Sequence, residues 1–168
     1  ATEFLNAICP NDLHSIAPGE SLYTHLLDCH GQVLDDLMVY QVTDRQYLLV
    51  VNAGNAEKDW AWLQALQAGT VCIASNHPAA TIPGRGAVQL EDLRQASAGA
   101  GQLSLLALQG PASWAVLQQL GAPASLGRLP HAGVQAVALG EWRVIVARTG
   151  YAGERAGYEV FVHPDQLV

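Results

Sequence analysis

The chain predicts an α+β fold, with antiparallel meanders packed against two or three helices. Three observations lead there. Residues 21–51 hold three β-rich segments separated only by short polar turns. Gly140-Glu141 divides two further alternating apolar segments in the manner of a hairpin. Helical spacing recurs in only two or three places, too few for the strand–helix alternation of a doubly wound sheet.

The elements follow in order. Thr2 is placed to cap a short helix carrying Phe4, Leu5, Ala7 and Ile8, with Glu3 near its positive end and Pro10-Asn11-Asp12 closing it. Pro18-Gly19-Glu20 turns into a strand over 21–27. His30-Gly31 turns into a second over 32–42, and Thr43-Asp44-Arg45 into a third over 47–51. Asn55 is placed to cap a helix over 56–66. Its spacing groups Glu57, Trp60, Ala61 and Gln64, and also Trp60, Leu63 and Leu66. Gly69 ends it. Short strands are expected at 71–74 and 87–90, with a Pro/Gly loop between them and a small-residue linker over 96–101. A strong strand over 103–108 leads through Gly110-Pro111 into a helix ending at Gly121. Strands over 133–138 and 142–147, a glycine-rich loop over 150–157 and a strand over 158–162 complete the pattern. Two similar halves are expected, about 1–95 and 96–168, as subdomains that intertwine.

Composition narrows the function classes. Fifteen Asp and Glu against eight Lys and Arg give a formal charge of −7, and Lys58 is the sole lysine. A chain without a basic cluster is expected neither to bind nucleic acid nor to sit on an anionic membrane. Cys9, Cys29 and Cys72 are widely spaced and odd in number, which suggests a reducing, cytoplasmic setting. The six histidines are scattered without an HExxH or HxH motif, so no metal is expected. No GxSxG elbow marks a nucleophile. The first residue is not Met, and HPDQLV at the end resembles the opening of a helix. The chain is therefore expected to be a fragment, a processed chain or an expression product.

Two polar clusters interrupt apolar strands. Asp35 and Asp36 are adjacent in VLDDLMVY, so alternation sends them to opposite faces. Asp36 shares a face with Met38 and Tyr40, and a carboxylate beside a hydroxyl-bearing ring suits a flat heteroaromatic ligand presenting N–H groups. The alternative is that the aspartates flank a surface turn or bind structural arginines. From the residues alone, Asn52, after LLVV, reads first as a turn or cap residue, and Tyr23 as half-buried packing rather than a ligand contact. In RTGYAGERAGYE, Glu159 is the sole acid of an apolar strand, and Arg148 is placed to pair with it or with Asp36. This loop lacks the GK[ST] ending of a phosphate-binding loop and the placement of a dinucleotide fingerprint.

The motifs YTHLLDCHGQVLDDLMVY, LLVVNAGNAEKDWAWL, LALQGPAS and RTGYAGERAGYEVFV run in order over most of the chain. Together they resemble the aminomethyltransferase (T-protein) family of the glycine cleavage system and its folate-binding relatives. The cysteine-containing KGCYxGQE motif of the iron–sulfur assembly branch is absent. The resemblance implies the T-protein folate-binding fold and tetrahydrofolate as cofactor. It implies transfer of a one-carbon unit from an aminomethyl-lipoyl carrier protein to tetrahydrofolate, with release of ammonia. Asp36 would stand near the reactive N10 side. Tyr23, Tyr40 and Asn52 would line the pocket, and Tyr151 and Glu159 would contact the pterin. GERAGYE carries one residue more than the family's usual GEDGFE. The resemblance also implies an upstream segment of the folate domain and a downstream β-rich domain beyond this chain. A second copy or a complementary chain is an expected partner covering those regions. The alternatives are a non-enzymatic folate-binding or regulatory module, and a folate-linked demethylase.

Overall fold

A computed structural model describes residues 1–150, 153–154 and 156–167. The chain divides into two compact units, Ala1–Leu90 and Glu91–Val168.

In the first unit, helix α1 (Thr2–Ile8) precedes a three-stranded antiparallel meander. Its strands are β1 (Glu20–Leu27), β2 (Val33–Gln41) and β3 (Tyr47–Val50), in that spatial order. Helix α2 (Ala56–Ala68) follows and ends at Gly69, whose φ of 69° is the left-handed conformation that closes helices. Leu37 and Val39 from one face of β2 join Leu63 and Leu66 of α2 and Phe4, Leu5 and Ile8 of α1 in one core. Burying each such side chain is worth roughly 1.5–3 kcal/mol, which makes this cluster the main support of the unit.

In the second unit, β4 (Ser104–Gln109), helix α3 (Ser113–Gln119), β5 (Val134–Leu139), β6 (Trp142–Ala147) and β7 (Gly157–Val162) follow in sequence. The sheet order is β4-β7-β6-β5, and every pairing is antiparallel. Strand β7 is therefore internal, and all six of its residues are buried. The end of the Gln109 side chain of β4 lies where a Cβ would stand on either Gly150 or Gly157, so a side chain at either position would displace it.

The expected α+β class, with antiparallel sheets and few helices, is the one observed. Four local expectations are corrected. Thr2 does not cap α1; its hydroxyl bonds the Tyr47 hydroxyl at 2.7 Å, and Ala1 occupies the cap position. Asn55 precedes α2 but its amide turns away to Asp35, so α2 starts with Glu57 and Asp59 in its first turn and no side-chain cap. Residues 71–74 form no strand: Val71 and Ile73 pack on the core, and Ser75 N–H donates to the Cys29 carbonyl at 2.7 Å beside them. Residues 87–90 form no strand either. The Val88 carbonyl accepts from the Gln67 side chain of α2, which takes the place a neighbouring strand would fill.

Candidate functional site

The two aspartates of β2 separate as alternation requires. Asp35 faces the core at 4 % exposure, in line with buried Leu37 and Val39, while Asp36 is half-buried on the opposite face. Their surroundings follow from register. Met38 pairs with Val50, so the same alignment carried two residues further sets Asn52, just beyond β3, opposite Asp36. Tyr23 pairs with Met38 and is therefore diagonal to Asp36, within reach of a long ring. The Tyr23 hydroxyl donates to Asp36 Oδ2 at 2.9 Å, and Asn52 Nδ2 donates to Asp36 Oδ1 at 2.9 Å. Tyr23 is 53 % exposed and meets the His25 ring edge-on at 5.4 Å. Its bond to Asp36, then desolvation, then the negative charges of both aspartates raise the Tyr23 phenol above its ordinary pKa.

Asp35 collects more donors. Asn52 N–H reaches Oδ2 at 3.0 Å, while Asn52 Nδ2 reaches Oδ1 at 2.9 Å and Asn55 Nδ2 reaches it at 2.6 Å. Burial pushes the Asp35 carboxyl up, but the bonds from Asn52 and Asn55 outweigh it and the carboxyl comes down to about 2. Asn52 is thus the hinge of the cluster, because one amide bridges both carboxylates.

Tyr40 lies on the Asp36 face by alternation and is completely buried. Glu159 belongs to the second unit. On β7 it stands between Ala107 of β4 and Ala147 of β6, two small neighbours that leave its side chain room. It has no exposed surface, and its Oε2 accepts a hydrogen bond from the Thr149 hydroxyl. Arg148, expected as an ion-pair partner, directs Nη1 to the Leu129 carbonyl at 2.8 Å. Tyr151 lies outside the described residues. The structure thus brings Asp36, Tyr23 and Asn52 together in one unit, and sets Glu159 beside Thr149 in the other.

A family model described as the GCVT N-terminal domain matches residues 1–168. The chain belongs to this family. Among curated proteins, the aminomethyltransferase of Chlorobaculum parvum is 38% identical over 160 residues, covering 95% of this chain and 38% of that protein. The aminomethyltransferase of Bacillus subtilis is 32% identical over 165 residues, covering 98% of this chain and 39% of that protein. Among solved structures, glycine cleavage system aminomethyltransferase T from Bartonella henselae matches with a TM-score of 0.67 at 28% identity. That match covers 96% of this chain and 37% of the other. The chain therefore spans less than two-fifths of the length of these relatives.

In this GCVT N-terminal domain, sequence reasoning missed two residues that shape the acidic sites. Asp59 is 1 % exposed and falls on the buried stripe Ala56, Asp59, Leu63 and Leu66 of α2. The signal was available as an acid at core spacing, but tryptophans at 60 and 62 blurred which face was inward. Thr149 is buried against Glu159 and has no distinguishing sequence pattern. A cleft of about 600 Å³ in the first unit, lined by Ile8, Cys29, His30, Trp62, Leu66 and Ile73 among others, includes none of the expected site residues. Among the described residues, no helix is long and apolar enough to cross a membrane. No group of three or more His, Cys, Asp or Glu among them is placed to hold a metal ion.

Proposed function

We propose that this chain is the folate-binding part of a tetrahydrofolate-dependent aminomethyltransferase. The parent protein would accept a one-carbon unit from an aminomethyl-lipoyl carrier and release ammonia, methylenetetrahydrofolate and the dihydrolipoyl carrier. The observation that carries the reading is the Asp36 carboxylate, half-buried on an open strand face and held at 2.9 Å by both Tyr23 and Asn52. Each of its oxygens has one donor in this cluster and keeps a lone pair for a ligand. A reduced pterin fits that chemistry, because it offers N–H groups to a carboxylate and a flat face to an exposed phenol. Tetrahydrofolate supplies the nucleophilic nitrogens that take up the carbon unit. Asp36 orients the donor side and stabilises the positive charge that develops near N10. The Tyr23 and Asn52 bonds hold its carboxylate in place so that little reorganisation accompanies that charge. Glu159 is assigned to pterin N–H groups, with Thr149 fixing one of its oxygens. Arg148 braces the segment before Thr149 through the Leu129 carbonyl. Tyr40 and Tyr151 complete the proposed lining, and a cytoplasmic, reducing setting suits the three free thiols.

Calorimetry with tetrahydrofolate on the full-length protein tests binding, and turnover with aminomethyl-lipoyl carrier tests the reaction. Expected are saturable binding, turnover that requires the carrier, and weaker binding in Glu159→Gln. Wild-type affinity in that variant removes Glu159 from the pocket. Folate binding without turnover favours a binding module, and turnover with an N-methyl donor alone favours a demethylase.

A further inference from the structure

The core side of β2 carries a feature that the proposed reaction does not use. Asp59 on α2 is 1 % exposed, and neither of its carboxyl oxygens has a hydrogen-bond donor among the described residues. An ionised carboxylate in that position would be buried without compensation, which costs several kcal/mol. Its neighbour is Asp35, itself buried and already holding three donor contacts from Asn52 and Asn55. Two acids that meet where neither oxygen pair has a free donor between them are satisfied by a single proton: one O–H donates, and the other carboxylate accepts.

We infer that Asp59 carries a proton in the folded protein and donates it as a hydrogen bond to Asp35. Through Asp35 and the bridging Asn52 amide, it acts as a positioning residue for Asp36.

The connections are continuous. Asn52 Nδ2 contacts Asp35 Oδ1 and Asp36 Oδ1, each at 2.9 Å, so the orientation of Asp35 sets the amide that orients Asp36. Asn55 has the same dependence, since its Nδ2 is given to Asp35 while its Oδ1 accepts from Lys58 Nζ at 3.0 Å. The charged groups that bear on Asp59 are Asp35 from β2 and Lys58 from its own helix. Burial first, then the bond to Asp35 and its charge, push the Asp59 carboxyl up to about 6, and Lys58 opposes them weakly. The sign of the pH effect follows. A carboxyl whose folded pKa lies above its unfolded value of 3.8 stabilises the fold in its neutral form, so this contribution is full at low pH and is lost as pH rises from 3.8 through about 6. Only the last link, from Asp36 to ligand, rests on the proposed folate reading.

The test is carbon-detected NMR of the aspartate carboxyl groups against pH on the full chain, with urea denaturation of two variants. The Asp59 resonance is expected to titrate near 6, with the Asp36 resonance responding in the same range. Asp59→Asn keeps a donor toward Asp35, so it should retain wild-type stability at low pH and lose the decline on raising pH. Asp59→Leu has no donor; it should be destabilised and should shift the Asp36 resonance. An Asp59 that titrates near 3.8 overturns the inference, as does an Asn variant as unstable as the Leu variant. An undisturbed Asp36 resonance in Asp59→Leu overturns the positioning role. None of these readouts needs folate. A perturbed Asp59 titration in a protein that binds no folate defeats only the reading of Asp36 as a ligand group.

Discussion

The acidic step of β2 and the single acid of β7 meet the same difficulty in opposite ways. Both lie on internal strands, where a carboxylate is costly. In β2 the cost is offset by donors: two asparagines and a tyrosine surround Asp35 and Asp36. This is possible because β3 stops at Val50, so the chain beyond it is free of the ladder and can turn Asn52 inward. In β7 the ladder continues on both sides, and Glu159 is accommodated by alanines at 107 and 147 together with the Thr149 hydroxyl. A strand end can recruit an amide cluster that reaches two faces at once. Within the strand interior, small neighbours and a nearby hydroxyl make room for the acid. The first arrangement leaves Asp36 reachable from outside, whereas the second leaves Glu159 with no exposed surface.

The largest test of this contrast is Asp35→Ala. It strips the Asn52 backbone N–H and the Asn55 amide of their acceptor and leaves Asp59 without its partner, so the fold should lose about 3 kcal/mol or more. Urea denaturation at neutral pH measures this, and a loss within error would mean that the cluster stabilises nothing. Asp36→Asn comes next. It should lower turnover by about 10²-fold, the scale of removing one charge-stabilising group, while the urea midpoint stays close to wild type. A variant that unfolds as readily as Asp35→Ala would erase the distinction between the two faces. Glu159→Gln should weaken tetrahydrofolate binding about tenfold, or about 1.4 kcal/mol by calorimetry. The smallest effect is spectroscopic. With Asp36→Asn the negative charge that holds up the Tyr23 phenol is gone, so Tyr23 should ionise at lower pH in an absorbance titration. An unmoved Tyr23 would show that the 2.9 Å bond does not persist in solution.

How far the sequence could be read depended on whether one periodicity dominated a segment. VLDDLMVY alternates without ambiguity, so it gave both the strand and the opposite faces of its two acids. The hairpin at Gly140-Glu141 was equally plain from its flanking apolar segments. Alternation did not reveal which acid was the buried one, because that depends on where α2 packs. Helical spacing did not single out the inward face of α2, since Trp60, Trp62, Leu63 and Leu66 spread apolar residues around most of it and Asp59 counted as polar. Val71, Ile73, Val88 and Leu90 have the composition of strands, yet each segment packs on the core without a ladder partner. β-branched and aliphatic side chains report burial there; pairing depends on a free neighbouring edge, which a local pattern does not encode. Asn55 illustrates the same limit, for a residue suited to capping was claimed by an acid twenty positions upstream.

The Gln109 carboxamide, seated against both Gly150 and Gly157, has a consequence for how this protein tolerates change. The two glycines flank the segment between them, and a single side chain from β4 lies against both. Gly110 N–H, bonded to the Ala156 carbonyl at 2.8 Å, adds a second anchor at the downstream foot. Glu159, two residues past Gly157, takes its phase in β7 from the pairing of that strand with β4 and β6. A substitution at Gln109 is therefore felt at both glycines at once, next to the strand that carries Glu159.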